Sequence, residues 1–138
     1  MTYNIEDRND HLSAAGIFRD AHGRILVLRH VKHRCLSLPV GKCKPGETPL
    51  QGLRTEMLEE VGIGVLAATE VASFQKSYDF TGKPVNVDMH VFRIESYSGE
   101  IRNMEPAKCA GLLWMTEDEL KASTSKLADC LRVVLSLA

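Results

Sequence analysis

The chain has 138 residues, a formal net charge of −1, 44% hydrophobic residues and 25% charged residues. We expect residues 1–138 to form one domain, because this length and composition are those of a folded globular protein and exclude a disordered or fibrous chain. The near-zero charge excludes a global basic field, so neither nucleic-acid polymers nor membranes are expected partners, and any phosphate binding must be local.

The apolar stretches indicate where in the cell the protein is expected, and the cysteine spacing indicates whether a structural zinc site is expected. No apolar stretch approaches the roughly 20 residues of a membrane-spanning helix, and residues 1–10 lack the basic and apolar regions of a secretory signal. We therefore expect a cytoplasmic protein. The four cysteines form no CxxC pair, so a structural zinc site is not expected and the cysteines are predicted to be small buried side chains.

Two antiparallel strands are predicted near the N-terminus, at residues 14–18 and 25–28, joined by a turn in which Gly23 takes a positive φ. A basic segment, residues 30–34, follows and precedes a short apolar stretch at residues 36–38. The basic segment has two interpretations of equal weight, a solvated loop or a rim of cations that faces an anionic ligand.

A helix is predicted from about residue 49 to residue 61. Thr48 is a candidate N-cap, Pro49 suits the first helical position, and Gln51 completes a capping box. Gly62 is expected to end the helix. Apolar residues at spacings of three and four predict one stripe that packs in the core: Leu50, Leu53, Met57 and Val61. The glutamates of the helix are expected on its other side.

The second half of the chain is predicted to extend the sheet and to end in a helix. The predicted strands cover residues 71–74, 85–92 and 112–114, with a turn at 81–83 and a loop at 96–108. After a short helical turn at residues 116–120, helical spacing predicts an amphipathic helix around Leu127, Cys130, Leu131, Val134 and Leu135. The elements mix without regular βαβ alternation, so the predicted class is α/β of the α+β kind.

Three glutamates on the first predicted helix are the strongest chemical signal. Glu56, Glu59 and Glu60 are spaced i, i+3 and i+4, which places three carboxylates within reach of a common point. Such like charges repel, and Mg²⁺ or Mn²⁺ resolves the conflict because it prefers oxygen ligands. Glu47 is a candidate fourth carboxylate. The alternative is a solvated helix face, since glutamate is a strong helix former.

A glycine-containing loop before the helix makes the solvated face less favoured. Gly41 and Gly46 permit tight backbone turns that can bring amides, and Lys42 or Lys44, towards an anion. Loop and helix together predict a site for a metal ion and a phosphorylated ligand.

The segment from Gly41 to Ile63 resembles the Nudix box, G-x5-E-x7-R-E-U-x-E-E-x-G-U with U aliphatic. Every defining position matches except the arginine, which is Thr55 here. Val40 also stands where many members have glycine. Outside the box, the segment from Glu105 to Trp114 is similar to the C-terminal pattern of MutT-like members. The resemblance implies an α/β/α sandwich with a mixed β-sheet.

The resemblance also implies roles for the acidic residues. Glu56, Glu59 and Glu60 match the family's metal-binding glutamates, and Glu47 matches the glutamate that supports the site. Glu105, in the late loop, is the first candidate for an extra metal ligand or base, with Glu100 second. The predicted catalytic group comprises the three helix glutamates and Glu105. The missing arginine normally orients box glutamates, which implies a looser or slower metal site here.

Candidate substrate contacts come from several parts of the chain. Lys42 matches a lysine that approaches phosphate, and Arg29 and Arg34 are further candidate phosphate contacts. Trp114 is a candidate stacking partner for a nucleobase, with core packing as the equal alternative. Tyr78 is predicted on a loop that closes over the base.

The leading functional hypothesis is a Mg²⁺-dependent (or Mn²⁺-dependent) MutT-like hydrolase. It would cleave a nucleoside triphosphate, with an oxidised or non-canonical base among the candidates, to a monophosphate and pyrophosphate. Hydrolysis of ADP-ribose or a nucleotide sugar is the alternative within the enzyme class. A nucleotide-binding regulatory module with weak or no turnover is the alternative outside it. A homodimer formed through an exposed strand edge is left open.

Overall fold

The computed structural model describes residues 10–80 and 82–137. In chain order its elements are β1 (His11–Ile17), β2 (Ile25–His30), β3 (Cys35–Ser37), β4 (Val40–Lys42), α1 (Pro49–Val61), β5 (Gly64–Phe80), β6 (Lys83–Ser98), β7 (Cys109–Met115), α2 (Glu117–Ala122), β8 (Lys126–Leu127) and α3 (Asp129–Ser136). Within the described ranges, no helix has the length and apolar character that crossing a membrane requires. Of the predicted turn at 81–83, residue 81 lies outside the described residues.

The strands form two four-stranded sheets. The first has the order β4-β1-β6-β5 and the second the order β7-β2-β3-β8. Each sheet contains one parallel pair, β1 with β6 and β3 with β8, among antiparallel neighbours. Both sheets are therefore mixed, and the predicted α+β class with mixed sheets is confirmed.

Two apolar clusters lie on opposite sides of the strands, because alternate residues of a strand point to opposite faces. On β2, Ile25 and Val27 belong to one cluster, whereas Leu26 and Leu28 belong to the other. The first cluster includes the buried side chains of α2 and α3, and the second includes those of α1. Helices thus cover both sides of the strands, as in the expected α/β/α sandwich.

Strands β5 and β6 form a hairpin far longer than the sequence predicts. They pair antiparallel from Gly64 with Ser98 to Phe80 with Lys83, and register shifts interrupt the pairing between Val65 and Ala72. Most of the β5 side chains are exposed or half-buried, so apolar alternation does not mark this edge strand. Tyr78 consequently lies on β5, and its predicted position on a loop is wrong.

Helix α1 begins and ends as its sequence predicts. The Thr48 hydroxyl accepts a hydrogen bond from the Gln51 amide at 3.2 Å, and the Gln51 side chain accepts one from the Thr48 amide at 2.8 Å. Gly62 ends the helix with φ of 72°. The predicted core stripe is confirmed at Leu53, Met57 and Val61, which are fully buried. Leu50 is 36% exposed, so its core placement is wrong: it lies in the first turn, at the rim of the packed face.

Candidate active site

The Glu56 side chain is buried, with 8% of its surface exposed, rather than on the outward face of α1 as predicted. It lies across strand β4, where a Cβ built on Gly41 would be only 1.9 Å from a Glu56 carboxylate oxygen. Pairing of Gly41 with Ala14 of β1 fixes this part of β4 beneath the helix. Glu56 therefore occupies space that exists because residue 41 has no side chain.

Glu60 lies one turn further along α1 and is half-buried. Burial, followed by the charge of Glu59, raises the pKa of Glu56 to about 7. Burial, followed by the charge of Glu105, raises the pKa of Glu60 to about 7. No described residue donates a hydrogen bond to either carboxylate, so the structure leaves two destabilised carboxylates side by side.

The loop between β6 and β7 brings Glu105 to this pair. The amide of Arg102 donates to the carbonyl of Val61 at 2.9 Å, and the amide of Met104 donates to the carbonyl of Glu60 at 3.2 Å. These carbonyls belong to the last turn of α1, which lacks helical partners for them. The loop thus caps the helix and positions the Glu105 carboxylate. This carboxylate forms an ion pair with the Lys108 ammonium at 3.1 Å.

Glu47 is held at the entrance to α1 by two donors. The Lys44 amide donates to one carboxylate oxygen at 2.6 Å, and the Thr55 hydroxyl donates to the other at 2.8 Å. These bonds, the backbone one first, hold the pKa of Glu47 below its ordinary value. Thr55, at the position where the resemblance leads one to expect arginine, therefore orients Glu47. Arg54 is exposed and makes no side-chain hydrogen bond to a described residue.

The remaining helix glutamate, Glu59, is exposed and pairs with the Lys44 ammonium at 3.2 Å. Among the described residues, no three acidic, histidine or cysteine side chains are already arranged around a common point. The buried and unpartnered oxygens of Glu56 and Glu60 nevertheless fit a hard divalent cation, whose charge would relieve their repulsion. Besides burial, the charges of Glu59 and Glu105 both raise the pKa values of Glu56 and Glu60, so the four carboxylates interact electrostatically.

The candidate substrate contacts lie on several elements. Lys42 ends β4, Arg29 is exposed on β2, and Arg34 is exposed in the β2–β3 turn with a φ of 48°. Trp114 is half-buried on β7 and packs against the α1 cluster, which favours its interpretation as a core residue. The Tyr78 hydroxyl donates to Asp129 at the start of α3 at 3.0 Å. The roles of these five residues in substrate binding stay predictions.

Sequence reasoning missed Lys108 entirely and named Lys44 only as one of two candidates near an anion. The available signal for Lys108 was its i, i+3 spacing from Glu105, a spacing that pairs side chains within a helical turn. For Lys44 no local spacing exists, because its partner Glu59 is 15 residues away along the chain.

Comparison with known proteins identifies the family of the chain. The model of the NUDIX domain family matches residues 9–134. An 8-oxo-dGTP diphosphatase from Haemophilus influenzae is 39% identical over 69 residues, which are 47% of this chain and 51% of that protein. An oxidized purine nucleoside triphosphate hydrolase from Danio rerio is 37% identical over 60 residues, 44% of this chain and 37% of that protein. The matched region thus spans about half or less of these relatives.

Solved structures show the same fold. A MutT NUDIX hydrolase from Burkholderia pseudomallei superposes with a TM-score of 0.77 at 24% identity, covering 93% of this chain and 97% of that one. At this identity the likeness shows the fold alone.

Proposed function

The chain belongs to the Nudix family, and on that premise we propose that it hydrolyses a phosphoanhydride bond of a nucleoside triphosphate, releasing a nucleoside monophosphate and pyrophosphate. The observation that carries the proposal is the buried pair of carboxylates, Glu56 and Glu60, whose pKa values are raised to about 7 and which have no donor among the described residues. Such a pair is costly unless a cation binds there. Its retention beneath a glycine loop favours a metal-dependent phosphate chemistry.

Glu56 and Glu60 would hold Mg²⁺ or Mn²⁺, with Glu59 and Glu105 as additional oxygen ligands. A bound divalent cation supplies charge neutralisation for the phosphate oxygens and a lowered pKa for a coordinated water. The chain's own residues do the positioning: α1 fixes the two buried carboxylates, and the loop on its last turn fixes Glu105. In this proposal Glu105 or a helix glutamate accepts the proton of the attacking water.

The relatives named above support the choice of substrate. Both carry names that refer to oxidised purine triphosphates or to 8-oxo-dGTP. We therefore place oxidised or non-canonical purine triphosphates first among the substrates to test. We place the protein in the cytoplasm, where thiols stay reduced, because its four cysteines are buried and free.

The test is a hydrolysis panel with the purified protein in Mg²⁺ and, separately, in Mn²⁺. The panel contains canonical and oxidised nucleoside triphosphates, ADP-ribose and a nucleotide sugar, with release of pyrophosphate and monophosphate as the readouts. Glu60→Gln is the test variant, because it removes one buried charge and keeps the side-chain shape. Glu95→Gln is the matched control, because Glu95 is exposed on β6 and has no electrostatic coupling to Glu56 or Glu60.

We expect pyrophosphate release from at least one triphosphate, lost in Glu60→Gln and kept in Glu95→Gln. If only ADP-ribose or the nucleotide sugar is cleaved, the proposed triphosphate substrate is wrong and the proposed metal-dependent hydrolysis stands. No hydrolysis, with a nucleotide still raising the melting temperature, would overturn the enzyme proposal in favour of a nucleotide-binding module.

A further inference from the structure

Two lysines flank the buried carboxylate pair, one from each loop that borders it. Lys44 lies between β4 and α1, and its ammonium pairs with Glu59 at 3.2 Å. Lys108 lies between β6 and β7, and its ammonium pairs with Glu105 at 3.1 Å. Each lysine therefore holds a carboxylate that neighbours the pair without being part of it.

Electrostatic coupling links both lysines to the buried carboxylates themselves. The charge of Lys44 opposes the rise in the pKa of Glu56, and the charge of Lys108 opposes the rise in the pKa of Glu60. With all groups ionised, the five coupled carboxylates exceed the two ammonium groups by three negative charges, an excess that a divalent cation would largely offset: Glu47, Glu56, Glu59, Glu60 and Glu105. The lysines and a metal ion would thus compete for the same carboxylate oxygens.

The two ion pairs are weak enough for each lysine to leave its carboxylate for another partner. The Lys44 side chain is 57% exposed and the Lys108 side chain is 76% exposed, so water screens both pairs. Ion pairs between side chains this exposed contribute little to stability. A lysine is also a mobile point charge with three donors, which suits contact with phosphate oxygens in several geometries.

We propose that Lys44 and Lys108 are phosphate-binding residues for the triphosphate chain, each held by a carboxylate partner in the metal-free protein and released towards the substrate when that carboxylate turns to the divalent cation. This inference rests on the proposed function for its substrate. Its first half, the competition between lysine and metal, concerns the protein alone.

The direction in which metal affinity changes distinguishes this proposal from a purely structural role for the lysines. If each ammonium competes with the metal, its removal tightens metal binding, because a nearby positive charge has been deleted. If each lysine instead merely positions its glutamate, its removal loosens the site and weakens metal binding. For the triphosphate the expected direction is opposite, since a donor to phosphate is lost.

The experiment compares Lys44→Gln, Lys108→Gln and the double variant with the wild type. Lys121→Gln is the matched control, because it deletes the same charge from an exposed position on α2. Isothermal titration with MnCl₂ alone gives the metal affinity, and titration with inorganic tripolyphosphate at saturating Mn²⁺ gives the phosphate affinity. Melting temperatures of all five proteins show whether folding is preserved.

We expect each single variant to bind Mn²⁺ roughly three- to tenfold more tightly, from the loss of one charge at a partly solvated distance. The same variants should bind tripolyphosphate roughly three- to tenfold more weakly, with larger effects in the double variant. Lys121→Gln should change neither affinity.

Unchanged or weaker Mn²⁺ binding in the lysine variants would overturn the competition, and unchanged tripolyphosphate binding would overturn the phosphate contact. Neither readout requires turnover. If the wild type hydrolyses no nucleotide while Mn²⁺ binding tightens in the variants, the proposed function fails and the competition stands.

Discussion

Gly41 decides where Glu56 lies, the least exposed acidic residue in the described part of the chain. The nearest atoms to a Cβ at this position would all belong to the Glu56 side chain, which therefore lies directly against the strand backbone. A helix glutamate with this spacing is ordinarily solvated, and its burial depends on a residue 15 positions earlier in the chain. The missing side chain is as much a part of the site as the carboxylate itself.

Gly41→Ala is expected to weaken Mn²⁺ binding by about ten- to hundredfold, because the added methyl group displaces the Glu56 carboxylate from its place on β4. The fold should persist, since α1 is held by its own apolar stripe. Titration with MnCl₂ and a thermal melt measure the two quantities. Gly111→Ala is the control, because no atom lies within 4 Å of a Cβ there. Equal metal affinity in the two variants would contradict this explanation.

The raised pKa values of Glu56 and Glu60 make the stability of the metal-free protein depend on pH. Both values are about 7 in the folded protein, against 4.5 for an ordinary glutamate. The folded state thus binds protons that the unfolded state has released, and the free energy of unfolding should fall as the pH rises from about 4.5 to 7.

In Glu60→Gln this fall should be smaller, because one of the two groups no longer titrates. Urea unfolding with a chelator present, at pH values from 5 to 8, measures the effect, which we expect to be on the order of 2 kcal/mol in the wild type. Glu95→Gln should keep the full dependence of the free energy of unfolding on pH. A wild-type stability that increases between pH 5 and 7 would show that the carboxylates are not destabilised by folding.

At the scale of elements, α1 packs closely on the loop that precedes it because of Gly52. A Cβ on Gly52 would lie 2.2 Å from the sulfur of Cys43 and 2.9 Å from the Cys43 Cβ. Cys43 is buried there, and its burial raises the pKa of the thiol to about 11, so it is a packing residue rather than a reactive thiol. Glycine is a poor helix former, but any larger residue at position 52 would overlap Cys43.

Gly52→Ala should destabilise the protein by about 1–3 kcal/mol, although alanine favours a helix over glycine, because the methyl group overlaps Cys43. Adding Cys43→Ala removes the sulfur and should restore part of the loss. Urea unfolding of the single variants and the double variant closes a double-mutant cycle. Additive effects would mean that the two residues do not compete for space.

Local patterns predicted α1 well and the β5–β6 hairpin poorly. The boundaries of α1 follow from Thr48, Pro49 and Gly62, whose roles depend only on neighbouring backbone atoms. The ends of β5 follow from pairing with β6, and polar residues on an edge strand carry no apolar pattern. Tyr78 was misplaced for this reason.

On the scale of the whole molecule, Asp129 connects the first sheet to α3. Its carboxylate accepts from the Lys76 ammonium at 2.6 Å and from the Tyr78 hydroxyl at 3.0 Å, both on β5. Burial, together with the Asp129 carboxylate, raises the pKa of Tyr78 to about 12, so the hydroxyl stays a donor at neutral pH. Buried side chains of helix α3 belong to the first apolar cluster, together with side chains of both sheets.

Asp129→Ala should lower the free energy of unfolding by about 1–2 kcal/mol, because it removes the acceptor for a partly buried hydroxyl and for an ammonium. Asp129→Asn should cost less, since its amide oxygen still accepts from Tyr78. Chemical denaturation measures both. Asp118→Ala is the control, as an exposed aspartate in the first turn of α2. If the asparagine variant proved the less stable of the two, the connection would not act through the hydroxyl.

The homodimer stays a prediction. Strand β5 is one edge of the first sheet, and β4 is the other. An unpaired edge can accept a second strand.

The sequence by itself determined the parts of this protein that depend on nearby residues. It identified the helix, its caps, the family-specific segment from Gly41 to Ile63 and the carboxylates to which we assign the proposed chemistry. Only the tertiary structure decided that Glu56 is buried over Gly41, that Glu105 lies beside Glu60, and that Lys44 and Lys108 hold Glu59 and Glu105. The physical reason is that pKa and ion pairing depend on distances in space, which packing sets between residues far apart in the chain.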